Sequence, residues 1–189
     1  MDIRMVLNWF QDVLNTPATK IFHNAMYDVC FIRAAGLKIN GTIVDTMIAG
    51  SLVDENRFRY DLGSLGRDYV GIGKNEAVLK ETADLWGIDH KAEMYKLPAM
   101  YVGEYAEQDA DLTLKLWQEM KKQMYHEDVE DIFKLETELF PCLVDMRFLG
   151  VRVDTQAAYE LKQQLVEEEK ECLYKIKKET SVDVQIWAA

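Results

Sequence analysis

The run Thr19-Lys20-Ile21-Phe22-His23-Asn24-Ala25-Met26-Tyr27-Asp28 decides how this chain folds. Thr19 to His23 is a short apolar stretch suited to a buried strand. Asn24 to Ala35 reads as a helix ended by Gly36, a residue that takes left-handed backbone angles at a helix end without steric penalty. Asp28 therefore falls in the first turns of a helix that follows a strand. That position suits ligand or metal binding, because helix-covered sheets gather ligands at the carboxyl ends of their strands.

A second stretch, Tyr105-Ala106-Glu107-Gln108-Asp109, has the same design. It lies in the longest periodic segment, Met100 to Met124, which follows Pro98 and offers Ala106, Ala110, Leu112, Leu116, Trp117 and Met120 for a buried face. In each stretch a polar residue stands four positions before a carboxylate, which on a helix places both side chains on one face, one turn apart. Two such faces could hold a divalent cation between Asp28 and Asp109. Carboxylate oxygens are the donors that hard ions such as Mg2+ or Mn2+ prefer, and an ion with open positions can still take phosphate oxygens from a substrate. Phosphodiester hydrolysis is the chemistry this points to. Asp111 reads as a solvated neighbour.

The other segments frame these two. Residues 3–14 carry apolar residues at helical spacing, and Asn15-Thr16-Pro17 stops that helix. Thr42 to Asp45 reads as a second buried strand, with Asp45 as N-cap of a helix through Leu52. Tyr60 to Leu65 begins another helix. Val70 to Lys96 reads as a surface loop with short helices, in which Lys74, Lys80 and Lys91 could meet phosphates as part of a mobile flap. Its Gly71-Ile72-Gly73 lacks the strand, helix and third glycine of a dinucleotide fingerprint. Helices over Val129 to Phe148 and Thr155 to about Glu179 follow, the second with Leu161, Leu165, Cys172, Leu173 and Ile176 as its stripe.

Composition narrows the function classes. With 49% hydrophobic and 29% charged residues over 189 positions, the chain reads as globular. It has neither an uninterrupted apolar run of about 18 residues nor the opening pattern of a signal peptide, so no membrane partner and a cytoplasmic location are expected. Cys30, Cys142 and Cys172 sit among apolar neighbours without CxxC spacing and read as buried reduced thiols. The net charge of -11 opposes tight binding of long duplex, since phosphate backbones are held by Lys and Arg and the counterions they displace. Short single-stranded ends, held by stacking and metal, are the better partner.

The run His23 to Asp28 resembles the second exonuclease motif (Asn, three residues, Asp) of the proofreading domain of family A, DNA polymerase I-like, DNA polymerases. Tyr105 to Asp111 resembles the third motif (Tyr, three residues, Asp), and the phage-type members are the most similar. Leu135 to Asp154 resembles the link from that domain into the polymerase thumb, and the end, Val184 to Ala189, resembles the next family segment. The resemblance implies a ribonuclease-H-like α/β exonuclease domain, here truncated, over residues 1–126, and the helical start of a thumb over 127–189. It implies a role in DNA replication by two-metal 3′-5′ hydrolysis of the 3′-terminal phosphodiester, using Mg2+ or Mn2+. Asp28 and Asp109 would ligate metal, Tyr105 would orient the attacking water, and Asn24 would bind the terminal nucleotide. The location implied for a phage-encoded member is the bacterial host cytoplasm.

The family's first motif, Asp-x-Glu on the first strand, has no counterpart on a strand-like segment here. The expectation is therefore an incomplete two-metal site, with weak metal affinity and little turnover, and a sheet edge open to another chain. The alternative is a non-catalytic nucleic-acid-binding or assembly module. Such a module would pair with a separately encoded exonuclease or polymerase piece, or with a second protomer.

Overall fold

The computed structural model describes residues 2–184, so most of the closing run, 185–189, lies outside the described residues. Helix α1 (Ile3–Asn15) is capped by the Asp2 carboxylate, which accepts from the Arg4 amide at 3.0 Å. It ends at Thr16, extended ahead of Pro17. Leu14 is its one buried residue, while Ile3, Met5, Trp9 and Val13 are exposed, so the apolar stripe read from the sequence faces mostly outward.

Strand β1 (Lys20–Phe22) leads into α2 (Ala25–Ala34) and β2 (Ile43–Asp45). The two strands pair in parallel, with Lys20, Ile21 and Phe22 opposite Ile43, Val44 and Asp45. Parallel neighbours need a crossover, and α2 supplies it. The return depends on Gly41, whose φ is +85° and where an added Cβ would lie 2.7 Å from the Ala18 carbonyl oxygen. Helix α3 (Thr46–Val53) starts directly from β2, and α4 (Leu62–Leu65) continues into a π-helical turn, Gly66–Val70.

The segment read as a loop contains a ten-residue helix, α5 (Ala77–Trp86), and a 3-10 turn, Met94–Lys96. Its buried Leu79 and Ala83 pack with Leu97, a spacing of four that a reading weighted by Gly and Lys passed over. Gly87, at φ +64°, ends it in the left-handed conformation. Helix α6 (Ala99–His126) buries Leu112, Thr113, Leu116, Met120 and Met124, and leaves Ala106 and Ala110 exposed. The first turns of α6 pack through Val102 and Tyr105 on the cluster of Leu79, Ala83 and Leu97, and its second half forms the core with Val44, Ala49, Leu62 and Leu65.

The chain is α/β, mostly helical, with a small two-stranded sheet among the described residues. It divides into two compact units, Met1–Phe148 and Leu149–Ala189. In the first, α7 (Glu130–Leu149) contributes Phe133 to the α6 core and Phe140 and Val144 to a cluster with Ala25 and Val29. In the second, α8 (Thr155–Thr180) is capped by Asp154 and buries nothing. The expected stripe there is exposed at Leu161 and Leu165. The cysteine expectation fails for Cys142 and Cys172, which are exposed outside the packed helix faces, while Cys30 is half-buried against the Ala25, Val29, Phe140 and Val144 cluster.

Candidate active site

The site begins with one carboxylate that serves two helix starts. Asp45, 7% exposed, accepts from the Asn24 amide at 2.9 Å, the Ala25 amide at 2.7 Å and the Met47 amide at 2.8 Å. It closes the N-terminus of α3 as the sequence predicts, and also that of α2. That bond pattern corrects the placement of Asn24: the residue is not on the helix with Asp28 but is its N-cap, at φ 64° and ψ 53°. Asn tolerates this left-handed region better than most residues, and its side chain makes no capping bond. With Asp45 holding the amides, the Asn24 amide group is left to the cavity.

A cavity of about 940 Å³ collects all four residues read from the two motifs, Asn24, Asp28, Tyr105 and Asp109. Asp28 lies in the first turn of α2 and is half-buried. Burial raises its carboxyl above the ordinary carboxylate value, and neighbouring Asp45 pushes the same way against a bond from its own backbone amide. Among the described residues no cation pairs with it.

Tyr105 and Asp109 share a cation. Lys74 Nζ donates to Asp109 Oδ2 at 2.6 Å and to the Tyr105 hydroxyl at 3.1 Å, and sits 5.1 Å from the Tyr105 ring centroid. Burial opposes the Lys74 charge, but these hydrogen bonds outweigh it and its pKa is raised. Burial also raises the Tyr105 phenol, against the pull of Lys74, so it remains protonated at neutral pH. Asp109 Oδ1 is buried and has no partner among the described residues.

Residues missed by the sequence reading complete the lining. Arg59 and Asp61 face the cavity beside His23. Asp61 doubles as N-cap of α4, accepting from the Ser64 amide at 3.0 Å, a role its Asp-x-x-Ser spacing encodes. Thr46 Oγ1 donates to the Phe22 carbonyl at 3.1 Å and lies 2.9 Å from His23 Nδ1. His23 Nε2 is buried without a hydrogen-bond partner among the described residues. Of the three flap lysines, Lys74 and Lys91 line the cavity, and Lys80 and Lys91 both pair with Glu76, at 2.9 and 3.9 Å. Asp111 pairs with Lys115 on the outer face of α6.

The donor chemistry fits a hard divalent ion at two points: the unpaired Asp28 carboxylate and the orphaned Asp109 Oδ1. No group of three or more His, Cys, Asp or Glu side chains able to hold a metal occurs among the described residues.

A family model described as 3′-5′ exonuclease, of the DNA polymerase A type, matches residues 1–125. The chain belongs to this 3′-5′ exonuclease family. It is similar to a DNA-directed DNA polymerase of Pseudomonas phage M6, 31% identical over 82% of this chain and 24% of the relative. It is also similar to DNA polymerase DpoZ of Acinetobacter phage SH-Ab 15497, 28% identical over 82% of this chain and 26% of the relative. DNA polymerase I of Chloroflexus aurantiacus is 29% identical over 78% of this chain and 15% of its own length. This exonuclease-family chain thus spans about a quarter of the phage relatives it matches. No helix among its described residues is long and apolar enough to cross a membrane.

Proposed function

We propose that this chain forms the 3′-end site of a family A DNA polymerase's proofreading exonuclease and acts in DNA replication. The observation that carries this reading is convergence: Asn24 and Asp28, at the start of one helix, and Tyr105 and Asp109, on another, line a single cavity. The parallel β1–β2 pair supports reading it as the retained end of a ribonuclease-H-like sheet. Residues 127–189 are then read as the helical start of a thumb, and the DNA and the rest of a polymerase as partners in the cytoplasm of a host cell.

Asp28 and Asp109 would hold the metal, Mg2+ or Mn2+, which when bound supplies charge stabilisation to the phosphoryl oxygens. Tyr105 keeps its proton and so can position a water by hydrogen bonding, with its ring fixed under Lys74. Asn24 presents an amide to the terminal nucleotide. Water attacks phosphorus, the P–O3′ bond breaks, and the products are a nucleoside 5′-monophosphate and a shortened 3′-hydroxyl strand. Asp61 and Glu76 also line the cavity, but the first caps α4 and the second pairs with Lys80, so the two motif carboxylates alone would serve the metal and hydrolysis by this chain is slow.

One observation favours the second reading, a nucleic-acid-binding or assembly module: Asp109 Oδ2 is already neutralised by Lys74. The two readings separate in one assay. Mononucleotide release from 3′-labelled single-stranded DNA is followed in Mn2+ or Mg2+, with Asp28→Ala and Asp109→Ala as controls. Exonuclease function predicts slow, metal-dependent release that both variants abolish. Absence of release, with single-stranded DNA still bound, would overturn it in favour of the binding module.

A further inference from the structure

Lys74 has no role in the metal chemistry just described, yet its ammonium makes the closest contact Asp109 has in the cavity. Nζ lies 2.6 Å from Asp109 Oδ2, is fixed a second time by the Tyr105 hydroxyl at 3.1 Å, and stands over that ring. The pair is about a quarter exposed on each side, 24% for Lys74 and 25% for Asp109, so water screens it only in part. The lysine is also well placed to stay. It follows Gly73, where an added Cβ would lie 3.1 Å from Arg67 Cγ, and the next residue, Asn75, donates its amide to Gln108 Oε1 on α6 at 3.2 Å.

We propose that Lys74 is a built-in counter-ion that competes with divalent metal for Asp109, so that a metal ion engages Asp28 first and gains both oxygens of Asp109 only by displacing the ammonium. The inference rests on the metal-site reading above. The asymmetry between the two carboxylates supplies the order: Asp28 has no cation beside it among the described residues, whereas Asp109 offers one free oxygen, Oδ1, and one occupied by Lys74. Metal affinity in this cavity is therefore set by a lysine as well as by the number of carboxylates. Removing the ammonium opens both oxygens of Asp109 to the ion while leaving its carboxylate charge uncompensated, and each change favours the metal.

The test is equilibrium binding of Mn2+ by the full chain, read from the electron paramagnetic resonance of free ion. Wild type is compared with Lys74→Met, Lys74→Arg, Asp28→Asn and the Lys74→Met/Asp109→Asn double variant, each first shown to unfold cooperatively on heating. Lys74→Met is expected to tighten Mn2+ binding about tenfold, Lys74→Arg to leave it near wild type, and the double variant to lose the gain. Equal affinity in wild type and Lys74→Met, with binding still weakened by Asp28→Asn, would overturn the competition while leaving the metal site standing. Failure of every variant to bind Mn2+ would remove the metal site itself and the proposal with it.

Discussion

Replacing Asp45 by alanine tests the frame on which the site hangs. The carboxylate accepts three backbone amides, those of Asn24, Ala25 and Met47, at 2.7 to 2.9 Å, from a position that is 7% exposed. Alanine leaves those donors without an acceptor. A lost N-cap costs about 0.5–2 kcal/mol, and a buried unsatisfied donor about 1–3 kcal/mol. Water can reach the exposed Asn24, so two caps and one orphaned donor set the scale, at roughly 3–5 kcal/mol. Asp45→Asn keeps one acceptor oxygen and should lose about half as much. Urea unfolding followed by the fluorescence of Trp117, which packs against Phe133, measures both. Amide hydrogen exchange at residues 24, 25 and 47 should speed up before the rest of α2 and α3. A loss under about 1 kcal/mol in Asp45→Ala would refute the double-cap reasoning, because a single solvent-reachable cap costs that much alone.

Gly66→Ala should destabilise by about 1–3 kcal/mol, since its Cβ would meet the Ile72 carbonyl at 2.6 Å and Leu112 Cδ2 at 2.9 Å. A urea midpoint equal to wild type would contradict that contact. Asp28→Asn should raise stability at pH 7 in metal-free buffer. The folded-state pKa of Asp28 is raised, so its ionised form costs stability above that pKa, and the advantage of Asn fades as pH falls towards 3.8. A less stable Asn variant at pH 7 would reverse the sign. Burial lowers the His23 pKa below its ordinary 6.5, so the unfolded chain takes up that proton first. Stability should fall as pH drops from 6.5 towards the folded pKa, a slope that His23→Gln removes and an NMR titration of the ring proton reads directly.

The motif residues were legible because their spacing is local and their neighbours set the element type. An apolar run ending at His23 gives a strand, and a helix start after it puts Asp28 in the first turn. The left-handed turn at Asn24 was not legible, because it depends on Asp45 reaching back from the next strand, a contact across 21 positions. Lys74 was visible only as one of three lysines with phosphate-binding potential. Its selection came from α6 and the glycine-bounded turn that brings position 74 against position 109. The stripe of α6 was read as one face, yet only the half after Asp111 joins the main core, because Tyr105, Asp109 and Ala110 border the cavity and Val102 packs on α5. Exposed cysteines escaped the reading for the same reason as the exposed stripe of α8: apolar spacing marks a face, and only packing decides whether that face is covered.

The proposal that the two motifs form one metal site is tested most directly by adding substoichiometric Mn2+ to isotope-labelled protein and reading paramagnetic broadening residue by residue. The proposed site predicts that the amides of Asn24, Asp28, Tyr105 and Asp109 broaden first and together, and that Asp28→Asn weakens the effect at all of them. Broadening that begins instead on the acidic surface of α8, around Glu167 and Glu171, with residues 24–28 and 105–109 left sharp, would contradict it.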